Sequence, residues 1–283
     1  MNIIVGKTIE EMRSYMRSKK QEGKVIGFVP TMGALHEGHA SLMRKAKTHC
    51  DVLVVSIFVN PTQFGPNEDF SRYPRTFEQD LETCQNNGAD FIFFPDVNEV
   101  YDKKSFITFS IDQLGDHLCG KSRPGHFNGV VQIVNKLFNI VKPDVALFGQ
   151  KDIQQFRILE QMVKEFNHEL KIIMGETVRA ADGLALSSRN RYLSKEERMI
   201  APALYQTLLR VRDQIVGGIK PSEAIAQSIS DFEQSGVKTD YLEVVDYDSL
   251  QPAEHVSLGM TYVIAGAIFL GKTRLIDNVI FKL

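Results

Sequence analysis

The sequence predicts an α/β fold: a doubly wound parallel sheet with a smaller C-terminal α+β domain. Three observations carry this expectation. Short apolar runs bounded by Gly, Pro or Asp alternate with longer stretches of helical spacing. The apolar runs are continuous, as in strands covered on both faces. Past residue 190 the alternation gives way to two helical stretches and then three strand-like runs. At 283 residues, against about 100–200 per domain, the chain suits two domains, placed at 1–180 and 181–283.

In chain order, residues 25–29, 52–59, 91–94, 145–148 and 172–174 read as the buried strands. Between them, Leu42, Met43 and Ala46 mark one helix, and Phe77, Leu81 and Cys84 a second. Val130, Val134, Leu137, Phe138 and Val141 mark a third, and Ile153, Phe156, Leu159 and Val163 a fourth. Residues 175–190 form the connection. Ser194 with Glu197 spells a capping box that opens a long helix, Gly217-Gly218 ends it, and Pro221-Ser222 opens another. Residues 241–245, 262–270 and 275–281 then read as strands.

Composition excludes several classes. Hydrophobic residues make up 43% and charged residues 24%, so the chain can bury a core and is not a disordered one. Lys plus Arg is 33 and Asp plus Glu 35, a net of −2, which argues against a nucleic-acid coat or a membrane-surface patch. No apolar run approaches the roughly 20 residues a membrane span needs, and the N-terminus has acids where a signal peptide has its apolar region. Cys50, Cys84 and Cys119 are odd in number and widely spaced, with no CxxC pair. A reducing, cytoplasmic location is expected.

The sharpest segment runs from Pro30 to His39, Pro-Thr-Met-Gly-Ala-Leu-His-Glu-Gly-His, between a strand and an amphipathic helix. A helix N-terminus offers free amides and a partial positive charge, which favour phosphate. Gly33 and Gly38 would let backbone approach a ligand, and His36 and His39 could donate to a phosphoryl group as its charge develops. The pair is also compatible with incidental turn residues or half of a metal site.

Asn60 and Gln63, after the second strand, both donate and accept, and suit a hydroxy acid or simply a polar turn. Thr76 is placed to cap a helix, with Asp80 one turn in, either a Mg²⁺ ligand or a solvated acid. Arg123 sits in a Pro-Gly loop, as surface or as a phosphate contact. In Phe148-Gly149-Gln150-Lys151-Asp152, Lys151 suits phosphates at a helix start; Asp152 can accept from a ribose or orient an amine, and Gln155 lies one turn on. Residues 185–191, Ala-Leu-Ser-Ser-Arg-Asn-Arg, are polar and basic, either a flexible linker or a segment that closes on a triphosphate.

Together, PTMGALHEGH, SIFVNPTQF, YPRT, RPGHF, FGQKD with QQ following, DGLALSSRNRYL and RLIDN resemble the pantothenate synthetase (pantoate–β-alanine ligase) family, in one order over nearly the whole chain. The resemblance implies a Rossmann-like N-terminal domain of the HIGH-motif nucleotidyltransferase type that binds ATP and pantoate, a C-terminal lid domain, and a homodimer. It implies ATP-dependent joining of (R)-pantoate to β-alanine through a pantoyl adenylate, with AMP and pyrophosphate released and Mg²⁺ accompanying ATP. Adenylation turns a carboxylate into an acyl donor with a good leaving group, so positioning and charge stabilisation suffice without a protein nucleophile.

By the same resemblance, His39 is the catalytic proton donor, with His36 and Lys151 at the phosphates. Met32, Gly33, Ala34, Leu35, His36, Glu37, Gly38 and His39 line the ATP site. Gly149, Gln150, Lys151, Asp152, Val178, Leu186, Ser187, Ser188 and Arg189 complete it, with Arg123 at the phosphates. Gln63, Gln155 and Asn60 hold pantoate, Gln63 and Tyr73 border β-alanine, and Asp80 is the metal ligand. Gln150 departs from the family's frequent Glu, and Gln79 from a second acid in some relatives, which weakens a two-carboxylate metal site. The alternatives are another HIGH-type nucleotidyltransferase or a non-catalytic nucleotide-binding regulator.

Overall fold

The structure, a computed structural model, describes residues 3–66, 68–101 and 105–283. Its elements begin with β1 (Ile4–Gly6), α1 (Ile9–Gln21), β2 (Ile26–Thr31), α2 (Glu37–Lys47), β3 (Val52–Ile57), α3 (Phe77–Asn86), β4 (Phe91–Phe93) and α4 (Val97–Val100). There follow α5 (Leu118–Ser122), α6 (His126–Val141), β5 (Val145–Gly149), α7 (Ile153–Glu165) and β6 (Lys171–Gly175). The last are α8 (Lys195–Ile200), α9 (Ala203–Val216), α10 (Pro221–Gln234), β7 (Lys238–Asp246), β8 (Thr261–Leu270) and β9 (Thr273–Lys282). The expected fold class is borne out: a six-stranded parallel sheet and a three-stranded antiparallel one.

The chain divides into two compact units. The first takes the described residues of Met1–Ser110, Gly125–Gln150 and Ile158–Glu176; the second takes Ile111–Pro124, Lys151–Arg157 and Thr177–Leu283.

In the first unit the strand order is β1-β4-β3-β2-β5-β6, so the order reverses between β2 and β5. That is where open α/β sheets bind ligands. β2 pairs with β3 along its whole length, from Ile26 opposite Val52 to Thr31 opposite Ile57. With β5 it pairs only at Gly27–Val145 and Phe28–Ala146. The even-numbered residues of β2 face β5, where Asp144 donates to the Ile26 carbonyl. Pro30 comes next on that side and has no N–H, so the ladder cannot continue and the carboxyl ends part.

One sheet face packs Val29, Val55, Ile57 and Leu147 against Leu42, Met43 and Ala46 of α2. Cys84 of α3 lies in the same core; burial pushes its thiol up to about 12, so it stays protonated as a packing group. Phe28 and Phe148 contact Phe138 of α6 edge-on, at 6.4 Å each. In the second unit Leu204, Leu208 and Val211 of α9 and Phe232 of α10 pack on Ile264, Leu275 and Val279 of the antiparallel sheet.

Three elements differ from expectation. The capping box at Ser194 forms, but the long helix breaks after Ala201, because Pro202 has no N–H and its ring crowds the preceding turn. The strand expected over 52–59 ends at Ile57, and Asn60 caps a short 3₁₀ turn, Pro61–Gln63. Thr76 occupies the N-cap position of α3 without a capping bond; its hydroxyl lies 3.3 Å from Asp80 Oδ1 instead.

Candidate active site

In the first unit the chain leaves β2 through two successive left-handed residues, Gly33 at φ +79° and Ala34 at φ +50°. Such a backbone is costly for an L-residue like alanine and needs external support. Asp80 supplies it from α3. Its Oδ2 accepts from the Ala34 amide at 3.0 Å and its Oδ1 from the Leu35 amide at 2.7 Å. The Gly33 amide donates to Thr31 Oγ1 at 3.1 Å. A Cβ on Gly33 would fall 2.9 Å from Asp80 Oδ2 and 3.0 Å from Ile57, so the brace itself demands glycine there.

Asp80 is 2% exposed, and both oxygens are engaged by backbone amides. The described residues contain no group of three or more His, Cys, Asp or Glu that could hold a metal ion. This donor set fits a loop brace and does not fit a resident cation.

The turn delivers His36 to the N-cap of α2. Its Nδ1 accepts from the Gly38 amide at 3.1 Å, and His39 Nδ1 accepts from the His36 amide at 3.3 Å. The rings lie 4.2 Å apart. With both Nδ1 atoms accepting, the neutral tautomer of each ring carries its proton on Nε2. Two N–H donors are thereby oriented by bonds from the backbone amides of the same turn. Gly38 makes room for the His36 ring, whose Cε1 would lie 2.8 Å from a Cβ there. Glu37 turns outward to ion-pair with Arg44.

Beyond β3, Asn60 is 1% exposed and saturated. Its Nδ2 donates to Gln63 Oε1 at 3.0 Å and to the Gly129 carbonyl at 3.1 Å. Its Oδ1 accepts from Tyr101 at 2.9 Å, and burial pushes that phenol up so it stays a donor. Asn60 therefore fixes the Gln63 amide, whose Nε2 lies 3.1 Å from Met32 Sδ in the braced turn. The His126 ring meets the Gln63 carbonyl at 2.8 Å. Tyr73 is buried, its ring 6.0 Å from that of Phe64. The first unit thus gathers residues 32–39, Asn60, Gln63, Tyr73, Asp80, Gly149 and Gln150 of the expected set.

The second unit holds Arg123, Lys151, Asp152, Gln155, Val178 and residues 186–189. Lys151 and Asp152 lie in a 3₁₀ turn, with Lys151 Nζ 4.0 Å from Asp152 Oδ1. Leu186 donates to the Val178 carbonyl at 2.9 Å, closing a hairpin that leads into Ser187, whose Oγ accepts from the Arg189 amide at 3.3 Å. Arg123 follows α5, its amide bonded to the Cys119 carbonyl at 2.8 Å. Gln154, 4% exposed, staples this segment: its Nε2 donates to the Leu114 and His117 carbonyls at 2.8 Å each, and its Oε1 accepts from Gly120 at 3.2 Å. Sequence reading passed over Gln154, Tyr101 and Arg179; only the QQ pair in the motif hinted at the first.

A reversed strand order beside a helix start bearing two oriented imidazoles defines a doubly wound α/β protein whose first helix after β2 opens on backbone amides of the kind that suit an anion. The family described as pantoate-beta-alanine ligase matches residues 4–280. Pantothenate synthetases from Caldicellulosiruptor saccharolyticus and Thermotoga neapolitana are 48% and 50% identical over 282 and 278 residues, covering 99% and 96% of this chain and 99% and 98% of theirs. The Thermus thermophilus pantothenate synthetase structure superposes with a TM-score of 0.90 at 38% identity, covering 98% and 99% of the two chains. A Francisella tularensis pantoate-beta-alanine ligase, complexed with beta-gamma ATP and beta-alanine, gives 0.82 at 36%, covering 98% and 97%. The chain belongs to the pantoate-beta-alanine ligase family and is a ligase.

Proposed function

We propose that this protein joins pantoate to β-alanine in two steps driven by ATP. A pantoate carboxylate oxygen attacks the α-phosphorus; the bond to the bridging oxygen breaks, and pyrophosphate leaves. The β-alanine amine then attacks the acyl carbon of the pantoyl adenylate. A C–N bond forms, the C–O bond to AMP breaks, and the amine gives up its proton. The observation that supports this reading is the braced turn beyond β2, in which backbone amides hold the Nδ1 atoms of both His36 and His39 and leave Nε2 as the protonated nitrogen of each neutral ring. Preorganised donors of this kind stabilise charge that develops in a transition state.

In this reading His39 is the proton donor and His36 assists at the phosphates. The amides of residues 32–39 and Gly149, with Gln150, Asp152, Val178 and Leu186, bind ATP, while Lys151, Ser187, Ser188, Arg189 and Arg123 meet its phosphates. Gln63, oriented by Asn60, and Gln155 hold pantoate, with Gln63 and Tyr73 beside β-alanine. Mg²⁺ enters as part of the nucleotide substrate. The protein works as a cytoplasmic homodimer; its unpaired cysteines suit a reducing compartment.

Incubation with ATP, pantoate and β-alanine should yield AMP and pyrophosphate, one of each per pantothenate; ADP and phosphate would reject the mechanism. His39→Ala should fold normally and slow single-turnover adenylate formation by about 10²–10⁴-fold.

A further inference from the structure

The closing motif Arg274-Leu275-Ile276-Asp277-Asn278 lies on β9, the edge strand of the second unit. No role in the proposed reaction has been given to it. Successive side chains on a strand point to opposite faces. Leu275, Val279 and Phe281 belong to the core under α9, and Asp277 shares their face. Arg274 and Asn278 occupy the other.

Each of the three polar residues holds a different segment. Asp277, 4% exposed, accepts both guanidinium nitrogens of Arg179, at 2.5 and 3.0 Å. Arg179 also stacks 3.5 Å over the Tyr205 ring and donates to the Gly183 carbonyl at 3.1 Å, so it locks the hairpin that delivers Ser187 to Arg189. Asn278, 1% exposed, donates to the Lys151 carbonyl at 3.0 Å. That carbonyl sits in a 3₁₀ turn, and its bond fixes the peptide between Lys151 and Asp152. Arg274 has both terminal nitrogens 3.6 Å from Cys119 Sγ and is itself held by Asp240 at 2.8 Å, pinning the short helix that ends in Arg123.

A buried ion pair and a buried amide are costly to keep when apolar packing would serve the core as well. Here a buried carboxylate, a buried amide and a half-buried arginine sit within five residues, and each reaches a segment bearing phosphate-directed candidates. We infer that Arg274, Asp277 and Asn278 are positioning residues: β9 is the scaffold that sets Arg123, Lys151 and residues 187–189 relative to one another for the nucleotide's phosphates. This rests on the ATP-binding reading proposed above.

Two variants and one measurement on the unaltered protein test it. Asn278→Asp replaces the donor with an acceptor, and Asp277→Asn removes the charge facing Arg179. Each should raise the KM for ATP about tenfold, the effect of losing one buried polar partner, with a smaller change in the KM for pantoate. An unchanged KM for ATP, or equal rises for both substrates, overturns the inference. Should a variant fail to fold, hydrogen exchange on the wild-type protein decides. Amides of 151–155 and 178–186 should open together, with one shared denaturant dependence; separate dependences overturn it. Wild-type protein that makes no AMP from ATP and pantoate would remove the proposed function, while exchange without nucleotide would still report the scaffold.

Discussion

At the scale of single residues, the informative side chain is Asp80. Sequence spacing offered it as a metal ligand or a solvated acid, because nothing local shows that its partners are amides 45 and 46 positions earlier. Gly33 and the two histidines, by contrast, were legible, since a strand, a glycine turn and a helix start are contiguous in sequence. Bonds to a charged acceptor are worth about 1.5–3 kcal/mol. Asp80→Asn retains one acceptor and turns an N–H₂ toward the other amide. It should lower kcat/KM for ATP by about 10–10²-fold, and raising Mg²⁺ should not restore it. Recovery at high Mg²⁺ would return Asp80 to the metal.

At the scale of elements, α6 packs closely against the Pro61–Gln63 turn, which carries Gln63, a residue proposed to hold pantoate. A Cβ on Gly129 would stand 2.3 Å from the Thr62 carbonyl oxygen. Gly129→Ala must push the turn away, and with it Gln63. Overpacking of this kind costs about 1–3 kcal/mol. Its kinetic signature should be a raised KM for pantoate larger than any change for ATP, measured beside a lowered melting temperature. Elements were legible where apolar periodicity was strong, and less so elsewhere. Thr8 and Glu11 form a capping box, yet α1 buries only Met12 and Met16 fully and so shows little stripe. β1 has three residues, too few for a pattern. The break at Pro202 was written in the sequence but lies inside an otherwise persuasive span from Ser194 to Gly217.

For the whole molecule, the two units are built from six chain segments, so the backbone passes between them five times. This was not legible, because segments 111–124 and 151–157 join the second unit through side chains such as Gln154 and through the Lys151 carbonyl. A fragment spanning 181–283 would lose Arg179 and leave Asp277 buried without its partner. Loss of one member of a buried pair costs about 3–5 kcal/mol. Such a fragment should lack cooperative thermal unfolding by circular dichroism, whereas sharp unfolding would show that β7, β8 and β9 with their helices are self-sufficient.

The staple between Cys119 and Arg274 spans 155 positions of chain, and that interval has a meaning on the ribosome. Chains emerge N-terminus first and fold largely as they emerge. Every strand of the parallel sheet is available once Gly175 has been made. The helix around Cys119, translated long before, must then wait for Tyr241 and Arg274 to shelter its thiol. Through that stretch of translation the nascent polypeptide carries a sulfhydryl that the finished protein conceals, so oxidation at Cys119 would fall on newborn chains rather than mature ones.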